Sequence, residues 1–189
     1  MLNQPRTGIY PMPRGSSSWT LLRGQVALPA ALAGSNKPWQ YPTAFAVDWT
    51  SGSPGNRATL FLADYLNNAQ TPGACGVWKS ADGGATWQLK QQADWPLDVS
   101  LHRLHPGRVY VSGHRSAENW GQGQPGQWGY GGALYSDDGG DSWREDAANP
   151  FQVSTSGVAP DPQSPCMLWY ATAGGGLLHG PAPAGLPGC

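Results

Sequence analysis

With 189 residues, 12% of them charged, and a formal net charge of −1, the chain can bury one real core but carries no long-range field, which argues against a nucleic-acid or anionic-membrane surface. Its 27 glycines and 18 prolines alone would suggest disorder, yet 10 tryptophans and repeated apolar-polar alternation point to short packed strands joined by turns. No run of about 18 apolar residues is present to span a bilayer, and the first 15 residues have neither the basic start nor the apolar stretch of a secretory leader.

Taken in chain order, the first element is "GIYPMPRGSSSW" (8–19), which with the residues up to 24 predicts the last two strands of an incomplete unit. A connection, "QVALPAALAGSNKPWQYP" (25–42), follows and offers Lys37, Trp39 and Tyr41. Unit A (44–91) reads as strand, Pro/Gly turn and strand, then a loop "LNNAQTPGA" (66–74), then "GVWKSADGGATW" (76–87). Unit B (97–147) repeats the order, with "RSAENWGQGQPGQWGYG" (115–131) as its loop and "GALYSDDGGDSW" (132–143) as its second half. Unit C (153–180) has only a Gly-rich turn in place of the long loop, and it breaks off after "GLLHG".

The opening glycines of successive copies, Gly8, Gly76, Gly132 and Gly176, are spaced 68, 56 and 44 residues apart. That is close to the period of about 40 to 50 residues of propeller blades. The strand-turn-strand stretch upstream, with the two strands that flank the acidic turn, gives four antiparallel strands per unit, so the expected fold is all-β, a single partial β-propeller over 1–189. At 56 residues per unit the chain supplies about 3.4 blades, whereas a closed ring needs four to eight. The remaining blades are therefore expected in a longer parent chain, or in a second copy that associates through the open edge.

The turns Ser80, Asp82, Gly84, Thr86, Trp87 and Ser136, Asp138, Gly140, Ser142, Trp143 occupy matching places. A tight turn leaves backbone N–H groups without ladder partners, and a carboxylate or hydroxyl on the turn can accept from them. Glycine permits positive φ, and the indole can bury a large face against the neighbouring sheet. The rival reading is calcium held by Asp137, Asp138 and Asp141, but the other ligands of a calcium loop are missing and only one copy is so acidic.

These S-x-D-x-G-x-[ST]-W segments resemble the Asp-box, or BNR repeat, of β-propellers such as sialidases, xyloglucanases and sortilin-type receptors. Two copies match fully, one is degenerate and one is cut short. "APDPQSPCMLWYATAGGGL" is also similar to the strand, Gly-rich turn, strand pattern of the xyloglucanase-like group. The resemblance implies a glycoside-hydrolase-like, carbohydrate-binding propeller or a non-catalytic scaffold for protein binding, and an extracellular or periplasmic location.

In an up-and-down blade the acidic turn and the loop between strands two and three lie at opposite ends. The ligand end implied by the propeller enzymes is thus where this chain inserts length. Trp120, Trp128 and Tyr130 in the second insertion, with Trp39 of the connection, could stack on sugar rings beside amide side chains, or could cap the edge of a sheet. Glycoside hydrolysis needs a pair of carboxyl groups; Asp64 and Glu118 are the candidates, with Asp48 and Asp98 on first strands as turn caps or channel groups. Arg57, Arg103, Arg108 and Arg115 are too scattered for the arginine cluster of a sialidase. The four histidines lack metal-ligand spacing, so no metal and no cofactor is expected. Cys75, Cys166 and Cys189 are too few for a disulfide framework and leave at least one free thiol.

Overall fold

The computed structural model describes residues 17–18, 25–27, 42–54, 57–64, 76–93, 96–105, 107–113, 132–146, 155–172 and 174–189. Every regular element among them is a strand. Sheet A holds β1 (Gln25–Ala27), β2 (Pro42–Val47), β3 (Leu60–Asp64), β4 (Gly76–Ser80) and β5 (Thr86–Gln92), in the order β1-β5-β4-β3-β2. Sheet B holds β6 (Pro96–Leu101), β7 (Val109–Gly113), β8 (Gly132–Ser136) and β9 (Arg144–Glu145), side by side in chain order. Sheet C holds β10 (Thr155–Pro160), β11 (Met167–Thr172) and β12 (Gly176–Pro181), also in chain order.

Successive strands from β2 onward pair antiparallel within each sheet. The three sheets stand face to face with β2, β6 and β10 adjacent, the arrangement of a partial β-propeller. These strands are stitched by side chains. Thr43 Oγ1 donates to Pro96 O at 2.7 Å, Ser100 Oγ donates to Val158 O at 2.7 Å, and Val158 N–H donates to Asp98 Oδ2 at 3.1 Å.

One element departs from the sequence reading. Residues 25–27, expected to open a connection, form β1, which runs parallel to β5 in the register Gln25↔Thr86 to Ala27↔Gln88. The outer edge of β5 presents backbone groups that need partners, and a passing extended segment supplies them without a hairpin. The strands expected within 8–24 lie, apart from residues 17–18, outside the described residues.

Alternation along the strands explains the packing. Side chains one residue apart point to opposite faces, so a sheet stacked on both sides must be apolar at every position. Phe61, Ala63 and Val77 of sheet A pack with Val99, Val109, Val111 and Leu134 of sheet B. Their neighbours Leu60, Leu62, Trp78 and Trp87 form a second core on the other face of sheet A. Tyr110, Ala133 and Tyr135 turn the other way and meet Val158, Leu168 and Tyr170 of sheet C, with Leu186 from the segment after β12. Each large side chain so buried contributes about 1.5–3 kcal/mol. The outward face of sheet C is open, with Leu177 67% and Trp169 36% exposed.

The two acidic turns are superimposable in their bonding. In the first, Gly84 N–H donates to Ser80 Oγ at 2.8 Å, Thr86 N–H to Asp82 Oδ1 at 2.8 Å and Thr86 Oγ1 to Asp82 Oδ2 at 2.5 Å. In the second, Gly140 N–H donates to Ser136 Oγ at 2.8 Å, Ser142 N–H to Asp138 Oδ1 at 2.8 Å and Ser142 Oγ to Asp138 Oδ2 at 2.5 Å. Both indoles fold back, Trp87 Nε1 onto Gly84 O and Trp143 Nε1 onto Gly140 O, each at 3.0 Å. Gly84 and Gly140 have φ of 94° and 85°, a region costly for any residue with a Cβ.

A disulfide joins Cys166 to Cys189 across a sequence separation of 23. A closed loop of that size is worth on the order of 3 kcal/mol through the unfolded chain. Sequence spacing gave no sign of this pair, since the two cysteines meet only through the β11–β12 hairpin and the return of 182–189. Cys75 lies outside the described residues.

Candidate functional site

The register fixes where the chain leaves each sheet. Pro42 pairs with Asp64 where sheet A hands over to residues 65–75, and Pro96 pairs with Gly113 where sheet B hands over to 114–131. Thr43 Oγ1 reaches both Ala63 O, at 3.2 Å, and Pro96 O. The stems of the two insertions are therefore held together at one end of the adjoining sheets.

The acidic turns occupy the other end. Asp141 of the second turn pairs with Lys90 Nζ at 2.8 Å and Lys79 Nζ at 3.5 Å, both on strands that flank the first turn. Each turn is also tied to its own sheet, through Gly83 N–H to Ala58 O and Gly139 N–H to Gly107 O.

Asp64, the last residue of β3, sits at the loop end and is fully buried. Asp98 also lies near that end, with its carboxylate on Val158 N–H, so it links two sheets. Asp48 accepts from Thr50 N–H at 2.8 Å and Thr50 Oγ1 at 2.6 Å, a turn cap after β2. Trp39, Glu118, Trp120, Trp128 and Tyr130 lie outside the described residues, as do Lys37 and Tyr41.

The carboxylates of "DDGGD" face three different tasks. Asp138 is held well below the usual carboxylate range: burial works against ionisation, but the Ser142 hydroxyl and N–H and the Ser136 hydroxyl outweigh it. Asp82 is lowered to about 2, chiefly by the Thr86 hydroxyl and then by the Thr86 N–H. Asp141 is lowered by Lys90 first and Lys79 second. Asp137 turns to Arg144, at 3.5 Å. Three carboxylates aimed at separate partners do not converge on one ion.

Sequence reasoning missed several buried polar groups. Arg108, placed after a Pro-Gly turn, is only 3% exposed and donates from Nη1 to Pro165 O at 3.4 Å and from Nη2 to Pro187 O. His102, 4% exposed, has its imidazole pKa lowered by burial and by the nearby His105 and Arg108 charges. Tyr170 Oη donates to Asp146 Oδ2 at 2.9 Å inside the core between sheets B and C, and burial with that carboxylate pushes the phenol pKa up. At the acidic-turn end, Gly52, Ser53, Ala58, Asp82 and Gly83 surround a shallow hollow of about 460 Å³. No motif announces an arginine that bonds to carbonyls brought from elsewhere in the chain.

Neither a protein-family model nor a curated protein matches the chain. Among solved structures it is similar to a GH74 enzyme from Niastella koreensis, with 16% identity and a TM-score of 0.43, over 87% of this chain and 32% of that one. A GH74 xyloglucanase from Xanthomonas campestris aligns with 15% identity and a TM-score of 0.42, over 88% and 31%. The chain thus spans about a third of the length of these proteins.

Proposed function

We propose that this chain is part of a carbohydrate-active Asp-box propeller and that the end carrying 65–75 and 114–131 binds a polysaccharide. The observation that supports this reading most is the Thr43 hydroxyl, which donates to Pro96 O and lies within reach of Ala63 O, so that the stems of both insertions meet at one end. Trp120, Trp128 and Tyr130, with Trp39, would supply flat apolar faces to sugar rings, and the surrounding Gln and Asn amides would bond to hydroxyls. Asp64 and Glu118 are the carboxyl groups proposed for cleavage, one as acid and one as base or nucleophile.

Affinity electrophoresis through gels containing soluble β-glucans, xyloglucan among them, tests the binding. The chain should be retarded, and Trp120→Ala with Trp128→Ala should restore free mobility; unretarded migration of the unaltered chain on every polysaccharide would refute it. Release of reducing ends, abolished by Asp64→Asn or Glu118→Gln with binding retained, would add catalysis to the reading.

The second reading is a non-catalytic scaffold for protein binding. It is favoured by the use of Asp48 and Asp98 to hold turns and sheets together rather than to face solvent as a pair. Polysaccharide retention lost on mutating the loop tryptophans would argue against it.

A further inference from the structure

Residues 182–189 do not belong to any sheet, yet they are fastened at four points. Ala182 N–H donates to Cys166 O at 2.8 Å, Leu186 is 3% exposed within the core between sheets B and C, Arg108 Nη2 donates to Pro187 O, and Cys189 is bonded to Cys166. Arg108 is the unusual member. Its buried guanidinium meets the carbonyls of Pro165 and Pro187 and the Cys189 sulfur at 3.7 Å, and among the described residues no carboxylate forms an ion pair with it.

A buried cation whose Nη hydrogen bonds all go to neutral acceptors depends on those acceptors staying in place, because each one lost leaves a charged donor out of water without a partner. One of the two carbonyls and the sulfur come from 182–189. With the thiols reduced, only the burial of Leu186 and a few hydrogen bonds would hold eight residues that carry two glycines and three prolines or alanines at their start.

We infer that 182–189 is a redox-operated strap: oxidation of Cys166 and Cys189 closes it over Arg108, and reduction opens it while the sheets stay folded. Closing transfers two electrons and two protons from the two thiols to a disulfide oxidant, which leaves as a dithiol. Opening runs by thiolate attack of a dithiol reductant on one sulfur; the mixed disulfide is resolved by the second reductant thiol, which yields two cysteine thiols and oxidised reductant. The strap would therefore be shut in an oxidising compartment and open in a thiol-buffered one.

Hydrogen exchange on the full chain, with and without a dithiol reductant under native conditions, tests the strap. Reduction should speed exchange at the Ala182 and Cys189 amides by at least about tenfold, the mark of a local opening, and leave Val109 and Val111 in β7 unchanged. Cys189→Ser should give the open pattern without reductant. Unchanged protection of 182–189 after complete reduction would overturn the proposal, as would equal loss of protection in β7, which would make the disulfide a global staple. Arg108→Lys keeps the disulfide, so in the oxidised protein it should open 182–189 less than reduction does; full opening in that variant would also overturn it.

Discussion

The turns at 80–87 and 136–143 have the same internal bonds and different surroundings. Trp87 is fully buried beside Trp78, Leu60 and Leu62, whereas Trp143 is half-buried at the margin of the core between sheets A and B. Ala81 and Ala85 in the first turn become Asp137 and Asp141 in the second, and Asp141 reaches Lys79 and Lys90 of the neighbouring sheet. Gly140 in turn lies under Phe61 of that sheet. The difference teaches that the inner bonding of such a turn is a local property of Ser, Asp and Gly, while its stabilising value is set by whichever sheet lies beside it.

Substituting the indoles should break the symmetry most. Trp87→Ala is expected to cost about 3–5 kcal/mol, the range for a large buried aromatic, against about 2 kcal/mol for Trp143→Ala. Urea unfolding measures both, and equal losses would contradict the assignment of the two environments. Next comes Gly140→Ala. A Cβ there would lie 2.7 Å from Phe61 Cε1 on a backbone already at φ +85°, so a loss of about 1–3 kcal/mol is expected.

The aspartates should restore the likeness. Both have folded pKa values below the ordinary 3.8, so each contributes its full stabilisation above about pH 4 and loses it as the pH falls toward 2. Thermal unfolding followed across that window should show Asp82→Asn and Asp138→Asn each flattening the acid limb, Asp138→Asn the more because its carboxyl is lowered further. The smallest effect belongs to Asp141→Ala, which removes an exposed cross-sheet pair. A loss under about 1 kcal/mol is expected, shrinking with added salt, whereas a salt-independent loss would mean that the pair is not what Asp141 contributes.

The all-β class and the up-and-down order were legible because the governing signals are local: alternation in "VYVSG", glycine at positive φ, and acceptors within a few residues of the N–H groups they cap. What could not be read is non-local. A short parallel strand at 25–27 owes its state to the bare edge of β5. Arg108 read only as one of four scattered arginines, because its partners, Pro165 and Pro187, are 57 and 79 residues away. The Cys166–Cys189 bond depends on the return of the chain after β12. Of the proposed site, Asp64 could be placed at the end of a strand, but its complete burial depends on neighbours that no spacing specifies.

The claim on which the functional reading turns is that the two ends of the sheets differ in purpose, one for ligand and one for structure. Hydrogen-exchange footprinting with xyloglucan bound tests it most directly. Protection is expected in 65–75 and 114–131 with no change at 80–87 and 136–143; protection confined to the acidic turns would contradict it.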